Sequence, residues 1–345
     1  MLEAARRGDE QAFEALVERH RGELHAHCYR MLGSVQDAED ALQDALVRAW
    51  RALGRFEGRS SLRSWLYRIA TNTCLDVVSR RPRRVLPLDY GPAADPHDGP
   101  VRPLLESVWI DPYPDTVFGV TDGFASPDAR FEQRESVELA FVAALQHLPP
   151  RQRAVLVLRE VLGFSAKEVA KLLETTTASV NSALQRARAT LDEKLPDRSQ
   201  QETARQVGDE RLRETVATYV DAWERGDVAA VVALLAQDAT ITMPPMPTWY
   251  AGRAACEVFL SKWAFARRWD SERFVEGERD VRLVVTSAGG QPAIGAYRWD
   301  AERGAFVPYA LQVLSFDTDG LIAEVDGFVA PELFAHFGLA AELAR

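Results

Sequence analysis

The sequence predicts a multidomain fold: two all-α domains, one a helical bundle and one a helix-turn-helix, joined by a linker and followed by a C-terminal α+β domain. Three observations carry this reading. Apolar residues recur at three- and four-residue steps through residues 1–84 and 131–195, the period of a helix buried on one face. Eight of the eighteen prolines crowd into residues 85–130, which show no sustained period. Beyond residue 209 helical periods give way to strand-like runs divided by Gly289-Gly290 and Asp319-Gly320, which are hairpin turn signals. A chain of 345 residues exceeds one ordinary core and fits two or three domains.

The first segment, 1–84, reads as three helices. Phe13, Leu16, Val17, His20, Leu24, Cys28 and Met31 share one face. After Gly33-Ser34 a second helix turns Ala38, Ala41, Leu42, Ala45, Leu46 and Ala49 inward, which leaves Asp37, Glu39, Asp40, Gln43 and Asp44 mostly outward. Ser60 or Ser61 can cap a third helix through Leu62, Trp65, Leu66 and Ile69. Residues 85–130 read as an extended linker that holds the flanking units apart, although the patch Val108-Trp109-Ile110-Asp111-Pro112-Tyr113-Pro114 is too apolar for a passive spacer and is expected to dock.

In 131–195 a helix is expected to resume near Arg130. Pro149-Pro150 opens another that ends at Gly163, and Ser165 with Glu168 forms a capping box. The last helix buries Val180, Leu184, Ala187 and Leu191. Gln200 to Gly208 reads as a second, polar linker. The domain 209–345 shows two helices, a short strand at Thr240–Met243, a helix over Ala254–Trp263, and strands near 281–286, 293–299, 307–316 and 321–328. Helices followed by a curved antiparallel sheet make an α+β pattern.

Charge and composition narrow the function. The net charge is −10, but residues 1–84 hold 15 Lys+Arg against 12 Asp+Glu and 131–195 hold 9 against 8, whereas 85–130 hold 2 against 8 and 196–345 hold 15 against 23. Only the two helical units escape the acidic excess, so modest affinity for phosphates and dependence on a partner are expected. Cys28, Cys74 and Cys256 are too scattered for a disulfide framework or a metal cluster. No apolar run reaches the roughly 18–20 residues of a membrane helix, and the N-terminus is no signal peptide, so a cytoplasmic protein with no membrane partner is expected.

Two constellations suggest nucleic-acid contacts. The last helix of 131–195 presents Ser179, Asn181, Ser182, Gln185, Arg186 and Arg188 away from its apolar stripe, as a helix lying in a major groove would; an ordinary helical hairpin with a solvated face has the same pattern. Upstream, Phe56-Glu57-Gly58-Arg59-Ser60 precedes Trp65-Leu66-Tyr67, Arg68 and Asn72, and the run ends in Ser79-Arg80-Arg81-Pro82-Arg83-Arg84. Aromatics, an amide and a basic end suit unpaired bases and their backbone, or equally a core helix with a solvated basic end.

The runs Asp37-Ala38-Glu39-Asp40-Ala41-Leu42-Gln43-Asp44, Trp65-Leu66-Tyr67-Arg68-Ile69-Ala70 with Asn72, and Leu148-Pro149-Pro150-Arg151-Gln152-Arg153 with its helix-turn-helix, in this order, closely resemble an extracytoplasmic-function sigma factor of the sigma-70 family. The resemblance covers 1–84 as region 2 and 131–195 as region 4. It implies that core RNA polymerase, through its β′ clamp helices and β subunit, and promoter DNA are the partners. It implies that Asp37, Glu39, Asp40, Gln43 and Asp44 contact the core, and that Phe56, Arg59, Ser60, Arg68 and Asn72 serve a flipped base of the −10 element with Arg80, Arg81, Arg83 and Arg84 on the backbone. The −35 element would fall to Thr177, Ser179, Asn181, Ser182, Gln185, Arg186 and Arg188. One departure is Ala183, where such proteins commonly carry arginine. The acidic linker would thread the polymerase channel.

Residues 209–345 resemble the SnoaL-like branch of the nuclear-transport-factor-two cone fold, through Asp221-Ala222-Trp223-Glu224-Arg225-Gly226-Asp227, Ile241-Thr242-Met243-Pro244-Pro245, Trp249-Tyr250-Ala251-Gly252 and Val325-Asp326-Gly327-Phe328. The resemblance points to the sigma-factor subclass with this appendage, which would regulate in cis and offer a pocket to a small-molecule ligand. An enzyme is not expected: His336 is the domain's one histidine, and Asp221, Asp326 and Tyr250 form no evident acid–base set. No cofactor or metal is expected. The rival readings are a small-molecule enzyme fused to a DNA-binding unit, and a helix-turn-helix regulator that acts without polymerase; the latter leaves the acidic face and the Phe56–Asn72 segment without a role.

Overall fold

The computed structural model describes residues 1–58, 60–104, 108–118, 136–265, 268–270, 273–275 and 280–345. It has two units: Met1–Arg84 with Val117–Pro196, and Val85–Thr116 with Asp197–Arg345.

The first unit opens with α1 (Leu2–Arg6), which the sequence pattern had not separated. Helix α2 (Glu10–Leu32) is capped by the Asp9 carboxylate, α3 (Val35–Ala52) by Ser34 and α4 (Leu62–Val78) by Ser61. Each cap satisfies an amide that the first helical turn cannot. Leu24, Cys28 and Met31 of α2 meet Ala38, Leu42 and Ala49 of α3 and Leu66, Ala70 and Cys74 of α4 in a core where all are nearly inaccessible. The alanines of α3 let the helices approach closely, while each large side chain contributes about 1.5–3 kcal/mol by leaving water. His27 lies within this core and hydrogen-bonds Thr71 Oγ1 at 2.9 Å. Burial, helped by Arg30 and Arg63, drives its pKa down to about 3, so it packs as a neutral ring.

The second half of this unit contains α5 (Leu139–Gln146), α6 (Pro150–Leu156) with a π turn at Val157–Val161, α7 (Ala166–Leu172) and α8 (Thr177–Asp192). Ser165 and Glu168 form the expected capping box, whereas the helix start near Arg130 lies outside the described residues. The two halves are not held apart, contrary to the expectation from the linker. Arg153 of α6 is buried and donates to Met31 O and Gln146 Oε1, both at 2.5 Å, to Gln146 O at 3.1 Å and to Leu148 O at 3.2 Å. Gln146 in turn donates to Arg30 O at 3.3 Å, and Arg30 to Ser136 O at 3.0 Å. The guanidinium thus sits on carbonyls at the C-terminal ends of both α2 and α5, where the helix dipoles favour a cation.

In the second unit, Gln200 to Gly208 is helical rather than a polar linker: α9 (Gln200–Val207) carries its own capping box from Ser199 and Glu202. The carboxamide of Gln200 pairs with both backbone groups of Phe316, and Gln201 donates to Gly290 O at 2.8 Å. Side chains that composition assigns to solvent here satisfy backbone instead. Helices α10 (Asp209–Arg225) and α11 (Val228–Ala233) precede β1 (Leu235–Met243), β2 (Met246–Ala251) and α12 (Arg253–Phe259). Then come β3 (Arg268–Asp270), β4 (Arg273–Val275), β5 (Val281–Ala288), β6 (Gln291–Asp300), β7 (Ala305–Phe316) and β8 (Ile322–Phe328).

The main sheet runs β2-β1-β8-β7-β6-β5. It is not wholly antiparallel, because β1 pairs with β8 in parallel. Strand β2 escaped the sequence reading because Pro244, Pro245 and Pro247 argue against a strand; its place at the sheet edge is where prolines cost no ladder bond. Gly289 and Gly290, at φ 58° and 76°, make the tight hairpin turn that side-chain-bearing residues resist.

The linker is strapped to this second unit. Trp249 Nε1 donates to Gly91 O at 2.8 Å, Ala94 N to Trp249 O, Trp263 Nε1 to Pro96 O at 2.9 Å, Val101 N to Thr248 Oγ1 and Leu104 N to Pro245 O. Farther along, Gly289 N donates to Tyr113 O and Gly290 N to the Asp115 carboxylate. Trp109, Ile110 and Tyr113 are buried, so the apolar patch does dock.

Replacing Arg153 with methionine should lower the unfolding free energy by about 3 kcal/mol, because several buried carbonyls lose their donor. Urea unfolding of wild type and variant measures it; coincident midpoints would show that Arg153 does not hold the two halves together.

Candidate nucleic-acid interface and C-terminal cavity

On α3, Asp40, Gln43 and Asp44 are exposed and Glu39 is partly so. Gln36 donates to Asp40 at 3.2 Å, Gln43 to Glu39 at 3.0 Å, and His25 Nε2 lies 3.6 Å from Glu39. Asp37 departs from the expected outward face. It is buried between Arg81 and Arg84, with Arg84 Nη2 at 2.6 Å from its Oδ2. Burial pushes its carboxyl pKa up, but the two guanidiniums outweigh that and hold it below its ordinary value. Val47 on the same helix is 47% exposed. The sequence reading passed over it, although an apolar residue out of phase with the buried stripe was the available signal.

Around the loop before α4, the structure brings Phe56, Ser60 and Arg68 together about a cavity of roughly 440 Å³. Phe56 is itself buried, its ring 5.0 Å from that of Trp65. The far wall belongs to Glu168, Lys171 and Leu172 at α7. Nearby, Arg63 lies over the rings of Tyr67 at 5.0 Å and Phe164 at 4.9 Å, a contact that joins the two halves. Asn72 is exposed on α4 and does not line this cavity. Arg59 lies outside the described residues. Arg80 and Arg83 are exposed, Arg83 pairing with His147 at 2.7 Å, while Arg81 and Arg84 are engaged by Asp37.

Helix α8 sorts its residues cleanly. Val180, Ala183, Leu184, Ala187 and Leu191 are buried, and Thr177, Ser179, Asn181, Ser182, Gln185, Arg186 and Arg188 are exposed. Arg186 donates to Ser182 at 3.2 Å, and Arg188 pairs with Glu160 at 2.9 Å. Ala183 faces the hairpin partner, so the departure noted at that position removes no surface side chain in this arrangement.

The C-terminal unit encloses a cavity of about 110 Å³ walled mainly by apolar and aromatic residues, with Gln312, Asp280 and Arg298 among its few polar ones. Among the described residues, none of Asp221, Tyr250, Asp326 and His336 lines it. Asp221 is exposed and pairs with Arg225 at 2.8 Å; Tyr250 stacks on Phe259 at 4.7 Å. Asp326 is buried and accepts from Thr242 Oγ1 at 2.7 Å. Burial, reinforced by nearby Glu324, lifts its pKa to about 7, and Thr242 restrains the shift.

An α-helical bundle with an acidic outer helix and basic end, a helix-turn-helix with one polar face, and a helix-backed sheet together define a sigma-70-type transcription factor with an appended α+β domain. Family models match in that order: Sigma-70 region 2 over residues 16–84, Sigma-70 region 4 over 138–191 and a SnoaL-like domain over 216–325. The chain belongs to the extracytoplasmic-function RNA polymerase sigma factors, proteins of transcription initiation. It is 43% identical over 335 residues to the ECF RNA polymerase sigma factor SigG of Mycobacterium tuberculosis, covering 97% of this chain and 85% of that protein. An RNA polymerase sigma-H factor of Pseudomonas aeruginosa is 31% identical over 199 residues, 56% of this chain and 92% of its own. The crystal structure of SigJ from Mycobacterium tuberculosis shares the fold at a TM-score of 0.54 and 21% identity, covering 96% of this chain and 99% of that one. These relatives are sigma factors, which are not enzymes. No helix among the described residues is long and apolar enough to cross a membrane.

Asp326 gives a pH signature. A carboxyl whose folded pKa is raised to about 7 favours folding below its unfolded pKa of about 3.9, and that contribution is lost as pH rises through 7. Thermal melts should therefore show the wild type losing stability between pH 5 and pH 8 more steeply than Asp326→Asn. Parallel profiles would contradict the burial assignment.

Proposed function

We propose that the exposed face of α3 docks on the β′ clamp helices of core RNA polymerase, with the β subunit as a further contact, that the loop before α4 receives a flipped base of the −10 element, and that α8 reads the −35 element. The segregation of α8 supports the last of these most directly: all its candidate readers are exposed and its apolar residues buried. Opening the duplex costs a few kcal/mol per unstacked step, and a cavity lined by Phe56, Ser60 and Arg68 can return part of it by capturing the extruded base. Asn72 would join the captured strand, and Arg59 would flank the base. Arg80 and Arg83 are placed for phosphates, while Arg81 and Arg84 would exchange the Asp37 carboxylate for them. Because α7 walls the same cavity, region 4 must withdraw from region 2 before the base enters. Glu39, Asp40, Gln43 and Asp44 would meet the basic clamp surface, with Val47 beneath them.

The C-terminal domain then regulates in cis. The observation behind this is the bound linker: while Gly91 to Asp115 are hydrogen-bonded to that domain, they cannot thread the polymerase channel. Covalent attachment gives the domain a high effective concentration for the linker, and a small molecule held in its cavity is a candidate signal.

Two outcomes are expected. Replacing Asp40 and Asp44 together by alanine should weaken binding to core polymerase roughly tenfold; an unchanged affinity in a pull-down titration would reject the clamp surface. At Gly99, φ is +74° and an added Cβ would stand 2.6 Å from the Trp263 indole, so Gly99→Val should loosen the strap and change the yield of run-off transcription. Identical yields would reject control through the linker.

A further inference from the structure

We propose that the C-terminal cavity is a binding site for a neutral, single-ring or short branched apolar molecule bearing one hydrogen-bonding group. The inference rests on reading this domain as a regulatory module and adds the chemistry of what it senses.

The cavity exists because two strands carry small residues where they face each other. Ala296 of β6 pairs with Ala310 of β7, and both line the space. Larger side chains at this pair would fill it, as packed sheet cores ordinarily are. Aromatic rings supply more of the wall: Tyr219 and Trp223 of α10, 5.9 Å apart, line the cavity, and Phe265, outside the lining, packs on Trp223 at 4.5 Å. Rings in this arrangement favour a flat apolar guest.

The polar groups set the rest of its chemistry. Tyr219 donates its hydroxyl proton to Gln312 Oε1 at 3.1 Å, which uses one end of that carboxamide. The other end makes no hydrogen bond among the described residues, although Gln312 is only 7% exposed and lines the cavity. That amide nitrogen keeps some exposure, so a guest hydroxyl or carbonyl can reach it and accept its hydrogen bond. The two charged lining residues have opposite signs: Asp280 lies 3.7 Å from Arg345, and Arg298 covers the Tyr309 ring at 5.4 Å. The lining therefore carries no net charge to offset the desolvation of a charged guest. Size sets the upper limit: an engineered apolar cavity of about 150 Å³ accepts benzene, and this one, at about 110 Å³, leaves room for no more than a single small ring.

The test titrates the full chain with toluene, p-cresol and benzoate, reading tryptophan emission, because Trp223 lines the cavity, together with thermal melts. Toluene and p-cresol should bind, p-cresol roughly fivefold tighter through its hydroxyl, and benzoate should not compete. Gln312→Leu should erase the p-cresol advantage and keep toluene binding. Ala296→Phe should abolish both; should that variant fail to fold, Ala310→Leu replaces it with the same expected outcome. Absence of binding by either neutral probe, equal binding by the filled variant, or tighter binding of benzoate overturns the proposal. Run-off transcription with and without p-cresol separates the two readings. Binding without a transcriptional effect leaves the site standing and rejects its regulatory role. A response to Gly99→Val without any binding rejects the site and leaves linker control intact.

Discussion

One buried guanidinium organises the all-helical unit. Among the described residues Arg153 has no carboxylate partner; its two Nη groups donate to the carbonyls of Met31, Gln146 and Leu148 and to the Gln146 side chain. Burial lowers its pKa to about 10, which still leaves it protonated at neutral pH. The arrangement ties α6 to the end of α2, and the contact of Phe164 with Tyr67 follows from it. Bringing α7 over the cavity beside Phe56 depends on the same attachment. Separating the two helical halves would require this polar cluster to be opened, and neutral carbonyls release a cation more readily than a carboxylate would.

Polar side chains bound to backbone recur throughout the molecule and explain how its irregular segments are held. Gln200 mimics a strand against Phe316, Gln201 holds the Gly290 turn, and the indoles of Trp249 and Trp263 hold Gly91 and Pro96. A proline-rich segment lacks many of its own amide donors, so its carbonyls must find donors elsewhere; the C-terminal domain provides them. Electrostatics of Asp37 follow similar logic. The carboxylate is desolvated only because two arginines accompany it, and those arginines are thereby kept from other anions until something competes.

Much of the architecture was legible from local rules. The outward face of Asp40, Gln43 and Asp44, the stripe of Val180, Leu184 and Ala187, the Ser165–Glu168 capping box and the Gly289-Gly290 turn all follow from periods and caps that operate within a few residues. Asp37 defeated the same rule. Its position on α3 is ambiguous by period, and its partner Arg81 lies 44 residues away. Composition misassigned Gln200 to Gly208 because it cannot tell a polar side chain that meets water from one that meets a backbone edge.

By itself, then, the sequence determined most of the helices, the strands β5 to β8, their order, and most of the exposed faces of α3 and α8, because side-chain period and capping are local chemistry. Tertiary structure alone decided that the two helical halves pack together, that the linker lies on the C-terminal domain, that β1 runs parallel to β8, and that paired alanines leave a cavity. Each of these depends on groups far apart in the chain meeting in space, where burial sets which polar atoms must be partnered, and no local pattern encodes that meeting.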